Sequence, residues 1–189
     1  DEGPNSIGFD YFSATPTENR FGESNSALSF NGIDEWIQGN SEAFPTEDRT
    51  IAFWAKFQQN GTELWLTGYG GGAIGTSTII YANSGQCGMS NQLAHSEHGC
   101  QGVFSVPFSA LPDDEWIHIA LTSNSTEAKF YINGIPSASR SGLGSVNTNA
   151  FYYIGACPDY TGISIDGTGA FTGSLDDIGI WNRALNDAE

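Results

Sequence analysis

The stretch TIAFWAKF, Thr50 to Phe57, decides the fold. Ile51, Phe53, Ala55 and Phe57 fall on one face, while Ala52, Trp54 and Lys56 fall on the other. Period two is the period of a β-strand, and aromatics on both faces suit an inner strand of a two-sheet sandwich. WIHIALT, Trp116 to Thr122, repeats the pattern, with Ile117, Ile119 and Leu121 opposite Trp116, His118 and Ala120. In KFYINGIP, Lys129 to Pro136, the pair Asn133-Gly134 predicts a tight hairpin, because both residues tolerate positive φ. Pro136 has no N–H to give to a ladder, so the return strand is expected at a sheet edge.

Outward from these, strands are expected at Ala27–Phe30, Glu35–Gly39, Leu64–Thr67, Thr78–Ala82, Val103–Val106, Phe151–Ile154 and Leu175–Trp181. About ten short strands with turns between them predict an all-β fold, a two-sheet antiparallel β-sandwich of jelly-roll type. Trp36, Trp54, Trp116 and Trp181 are read as core. Only Ser109–Leu111 and the tail NRALNDAE, residues 182–189, look capable of a helical turn. The Gly-rich run GYGGGAIG, residues 68–75, lacks the Lys-Ser/Thr of a phosphate loop and is read as a sandwich loop.

Composition sets the bounds. With 189 residues, 39% hydrophobic and only 15% charged, the chain suffices for one folded domain and excludes global disorder. Against 22 Asp plus Glu stand 6 Lys plus Arg, a formal net charge of -16 that repels phosphate backbones and anionic lipid surfaces. A nucleic-acid partner and membrane insertion are therefore not expected. No run of 18 apolar residues is present, and the chain reads as a monomeric module cut from a larger protein. Of the three cysteines, Cys87 and Cys100 flank one polar loop and are expected to pair, leaving Cys157 over; a disulfide implies an oxidising, extracellular setting.

The stretches RFG from Arg20, ALSFNG from Ala27, EWI from Glu35, TIAFWAK from Thr50, EWIHIALT from Glu115 and FYING from Phe130 appear in this order. They end in Ile154-Gly155 and FTGSLDDIGIWNRAL, Phe171 to Leu185. In these motifs the chain resembles the laminin-G-like, concanavalin A-like jelly-roll domains of bacterial secreted and cell-surface proteins. The resemblance implies a binding module, since the fold hosts lectins, polysaccharide-binding modules and adhesion spacers besides glycosidases. It also implies structural calcium, held where the N-terminal turn meets the C-terminal acidic strand. Asn5 through its side chain, Gly8 through its carbonyl and Asp176 through its carboxylate would be the ligands, with Asp1 beside them, a mixed oxygen set that suits calcium. The opening DEGPNSIG carries Gly3-Pro4 where the family pattern has Ser-Gly.

Chemistry for catalysis is sparse. Glycosidases need two carboxylates facing each other across the scissile bond, and the Glu-x-Asp-x-x-Glu strand of jelly-roll glucanases does not occur. Adjacent Asp176 and Asp177 are expected on opposite faces of their strand. HSEHGC, residues 95–100, lacks the second half of a zinc motif, and no Gly-x-Ser-x-Gly elbow is present. Recognition remains: a non-catalytic carbohydrate-binding module, stabilised by calcium, of a secreted or surface protein. Sugars stack on aromatic rings while amides, carboxylates and imidazoles bond their hydroxyls. Trp65, Tyr69, Tyr81 and Tyr160 sit in polar, Gly-rich contexts, with Asn83, His95, Glu97 and Asp159 as polar neighbours, and these eight are the candidate glycan contacts. The alternative is a protein-binding or spacer module of a bacterial adhesin, with a cell-surface protein as partner.

Overall fold

The computed structural model describes residues 8–85, 87–156 and 169–189. In chain order the strands are β1 (Tyr11–Phe12), β2 (Thr15–Thr17), β3 (Ala27–Asn31), β4 (Ile37–Asn40), β5 (Arg49–Lys56), β6 (Leu64–Gly70) and β7 (Ser77–Ala82). They continue with β8 (Gln92–Glu97), β9 (Gln101–Pro107), β10 (Ile117–Ser123), β11 (Glu127–Ile132), β12 (Ile135–Ser141), β13 (Phe151–Ile154) and β14 (Thr172–Trp181). One 3₁₀ turn, Phe108–Ala110, is the helical element among the described residues. Sheet A runs β1-β4-β13-β6-β7-β8-β9 and sheet B runs β12-β11-β10-β5-β14-β3-β2, every pair antiparallel. Late strands β13 and β14 insert between early ones, so the chain winds repeatedly from sheet to sheet, as a jelly roll does.

The alternation of β5 places it inside sheet B. Ile51, Phe53 and Ala55 are fully buried and pair in register with Leu121, Ile119 and Ile117 of β10. Phe130 of β11 and Leu175 of β14 extend that inner face. Opposite it, sheet A contributes Leu64, Leu66, Ile80, Ala82 and Leu93. Each inner aromatic is worth a few kcal/mol on the usual scale of buried apolar side chains. The Asn133-Gly134 hairpin forms as expected, with φ of 51° and 76° between paired Ile132 and Ile135. Strand β12, which carries Pro136, lies at the edge of sheet B.

Three expectations are corrected. The segment between Cys87 and Cys100 is not wholly loop: QLAHSE, Gln92–Glu97, is β8, paired with β7 and β9. Its polar residues hid it, because His95, Ser96 and Glu97 are buried along with Leu93 and Ala94. Trp181 is 38% exposed rather than core, and Trp54 and Trp116 are half-buried on the side of sheet B away from the interior. The tail ends in a turn at Asp187–Ala188, not a helix. It is fastened to the outer side of sheet B by Thr50 Oγ1, which donates to Arg183 O at 2.8 Å and accepts from Leu185 N–H. Cys87 and Cys100 are joined as a disulfide, as expected, while Cys157 lies outside the described residues.

Candidate functional site

The six described residues among those expected to contact sugar do not form one exposed site. Trp65, on β6, is half-buried; its Nε1–H donates to Glu63 Oε1 at 2.9 Å and its ring centroid lies 5.4 Å from that of Tyr81. Ser84 Oγ donates to the same carboxylate oxygen, and Asn83 accepts the Asn91 N–H at 2.7 Å while its amide donates to Gly61 O. Asn83 thus fastens two turns together. Tyr81 and His95 are fully buried, Tyr69 is 2% exposed and Glu97 7%. Tyr69 donates its hydroxyl to Pro45 O, and burial pushes its phenol well above the ordinary value. These four are corrected from ligand contacts to buried residues, because their side chains have little or no surface open to a sugar. Asp159 and Tyr160 lie outside the described residues.

His95 has Nε2 at 3.0 Å from Thr78 Oγ1 and Nδ1 at 3.4 Å from Gly102 O. Burial, with Arg49 adding to it, brings its pKa down to about 3, so the ring is neutral. Glu97 Oε1 accepts the Gly144 N–H, and no group of three or more His, Cys, Asp or Glu suited to a metal occurs among the described residues.

The two described members of the expected calcium ligand set, Gly8 and Asp176, each meet a partner from this chain. Asp176 carries a cation already: Arg20 Nη1 lies 2.8 Å from Asp176 Oδ2 and 2.8 Å from Asp177 Oδ2. Gly8, by contrast, accepts the Tyr152 hydroxyl at 3.4 Å, against sheet A. Asn5 and Asp1 lie outside the described residues. Asp176 is raised in pKa by burial and by Asp177, with Arg20 opposing. The two aspartates also correct the strand-alternation expectation. A bulge between Asp176 and Gly179, with Asp177 at φ 48°, lets both carboxylates reach one guanidinium.

The outer side of sheet B is the better candidate. Across β10, β5 and β14 lies the row His118, Trp54, Asp176, and beside it the row Ala120, Ala52, Gly179. The ring of Trp54 is 5.3 Å from His118 and 4.7 Å from the Arg20 guanidinium, which also lies 4.4 Å from the ring of Phe21. Burial and then Arg20 lower the pKa of His118, which favours its neutral form. Next to this row, at the end of β10, opens a cleft of about 450 Å³ whose lining includes Trp116, Lys56, Asn19, Gln58, Asn60 and Ser174. An indole, an ammonium, three amides and a hydroxyl in one concavity offer a stacking surface with both donors and acceptors. The sequence did contain the signal: Lys56 and His118 share a face with Trp54 and Trp116, and charged or imidazole groups on an aromatic face mark the side that meets water.

A two-layer antiparallel sandwich with a polar, tryptophan-bearing cleft on one outer face defines a lectin-like β-sandwich. The chain belongs to the Laminin_G_3 family, described as the concanavalin A-like lectin/glucanases superfamily, whose model matches residues 31–189. Among curated proteins none matches the chain. Among solved structures it is similar to the binding domain of Paraclostridial Mosquitocidal Protein 1, with TM-score 0.69, 18% identity and 100% of this chain covered. The chain spans about half of that structure, 47%. It is also similar to domain 4 of AbnA, an extracellular arabinanase of Geobacillus stearothermophilus solved with arabinotriose. There the TM-score is 0.64 and the identity 20%, over 100% of this chain and 81% of that one. A pentraxin of Limulus polyphemus aligns with TM-score 0.62 and 14% identity, over 85% of this chain and 77% of that one. At such identities the likeness is one of fold. No helix among the described residues is long and apolar enough to cross a membrane.

Proposed function

We propose that this chain is a non-catalytic glycan-binding module of a secreted or cell-surface protein, and that it takes its sugar in the Trp116 cleft of sheet B. The observation that carries the reading is the cleft's chemistry. Trp116 offers a ring for the apolar face of a pyranose, and the Asn19, Gln58 and Asn60 amides with Lys56 surround it to bond hydroxyls. The carboxylates of the same cleft, Glu18 and Asp114, are both exposed on loops, and neither has the buried surroundings that prepare a glycosidase acid. The arabinotriose complex of domain 4 of AbnA supports sugar binding on this fold by analogy. A protein-binding role would call for a contiguous apolar patch. The most exposed apolar side chains instead fall on separate turns: Phe21 between β2 and β3, Ile33 between β3 and β4, Ile74 between β6 and β7, and Ile135 at the β11–β12 hairpin.

The test is a panel of arabinan, xylan, galactan, β-glucan and chitin oligosaccharides, run in calcium chloride and again in EDTA. Saturable binding that Trp116→Ala abolishes and Trp65→Ala leaves intact supports the reading. Silence across the panel from folded protein refutes it, and loss with Trp65→Ala alone moves the site to sheet A. Survival of binding in EDTA separates sugar recognition from the calcium that the family resemblance implies.

A further inference from the structure

We infer that Arg20 is a built-in cation of this face: it stands beside Asp176 where a calcium ligand was expected, and it pins the turn that walls the cleft. The turn, residues 18–25, joins β2 to β3 at the edge of sheet B. Its own hydrogen bonds are local. Asn19 Oδ1 accepts from the N–H groups of Phe21 and Glu23, Asn19 N–H donates to Glu23 O, and Gly22 N–H donates to Asn19 O. Every hydrogen bond described for residues 18–25 stays between residues 17 and 26, except the one from Arg20 to Asp176. Strand β2 is three residues long and pairs with β3 alone.

Arg20 reaches past β3, the width of one strand spacing and more, to β14 and β5. There its guanidinium bonds two carboxylates and lies over Trp54, with Phe21 of the turn on it as well. A planar fork that binds carboxylates and stacks on rings is a property of arginine that neither lysine nor a metal ion shares. Glu18 and Asn19, which line the cleft, are the residues immediately before it. Fixing Arg20 therefore fixes that wall, and its single positive charge offsets part of the repulsion between two adjacent carboxylates in a chain of net charge -16. The inference rests on the glycan reading only for what the wall bounds, and its test uses no sugar, so the two fail separately.

The experiment is hydrogen exchange of the peptide spanning residues 17–26, together with thermal melts in calcium chloride and in EDTA, on the wild type, Arg20→Gln and Asp177→Asn. The wild type should melt at the same temperature in both solutions and keep the turn protected. Arg20→Gln should lose that protection while sheet A peptides keep theirs, and melt lower by about 3–8 °C for a domain of this size. Asp177→Asn, at the exposed member of the pair, should shift the turn's protection in the same direction by less. Unchanged protection in both variants overturns the inference. So does an EDTA effect on the wild-type melt as large as that of Arg20→Gln.

Discussion

Acid should loosen this protein through His95, and the size of the effect follows from where the ring sits. In the unfolded chain a histidine titrates near 6.5, whereas in the fold burial and the neighbouring Arg49 bring it down to about 3, and Arg140 adds to the same effect. The folded state thus resists a proton that the unfolded state accepts. A depressed histidine leaves stability whole above pH 6.5 and removes it as pH falls toward 3, at about 1.4 kcal/mol per pH unit. By pH 5 the loss attributable to His95 is about 2 kcal/mol, a large fraction of an ordinary domain's stability. The assay is urea unfolding at pH 7 and pH 5 on the wild type and His95→Gln. Glutamine can still meet Thr78 and Gly102 but cannot take the proton, and the carboxylates and His118 are common to both proteins. The wild type should lose about 2 kcal/mol more than the variant between the two pH values. Parallel losses would show that His95 is not held neutral by burial, and the reasoning would be wrong.

Two further predictions concern the frame around the site. Removing the Cys87–Cys100 disulfide as the double serine variant should lower stability by about 3 kcal/mol, given a sequence separation of 13, which chemical denaturation of the two proteins would show. Gly134→Ala should cost on the order of 1 kcal/mol, because φ at this position is 76° and a Cβ is strained there. Since nothing lies within 4 Å of the Cβ it would add, a loss far larger than that would indicate a clash instead of backbone strain.

Much of the fold was legible because its code is local. TIAFWAKF and WIHIALT announced their strands, and Asn133-Gly134 its turn, through period two and through positive φ, properties of a few adjacent residues. Strand β8 escaped because the signal assumes apolar residues inside, and here His95 and Glu97 go inside with their hydrogen bonds satisfied by Thr78, Gly102 and Gly144. Tyr69 was misread for the same reason in reverse: its Gly-rich neighbours suggested a surface loop, while the structure continues β6 through Gly70 and buries the ring with its hydroxyl bonded to Pro45.

The sequence by itself determined that this chain is a β-sandwich, which residues alternate, and where the tight hairpin falls, because alternation and turn chemistry are written within one strand or one turn. It also divided β5 into a face with Phe53 and a face with Trp54, without saying which of them meets the other sheet. Only the tertiary structure decided that. Stacking buried Phe53 and turned Trp54 outward, and a bulge swung Asp177 round beside Asp176. The order β2-β3-β14-β5 then brought Arg20 to a carboxylate 156 positions away in the chain. Such a meeting depends on how strands are ordered across a sheet, a long-range property that no local stretch of sequence encodes.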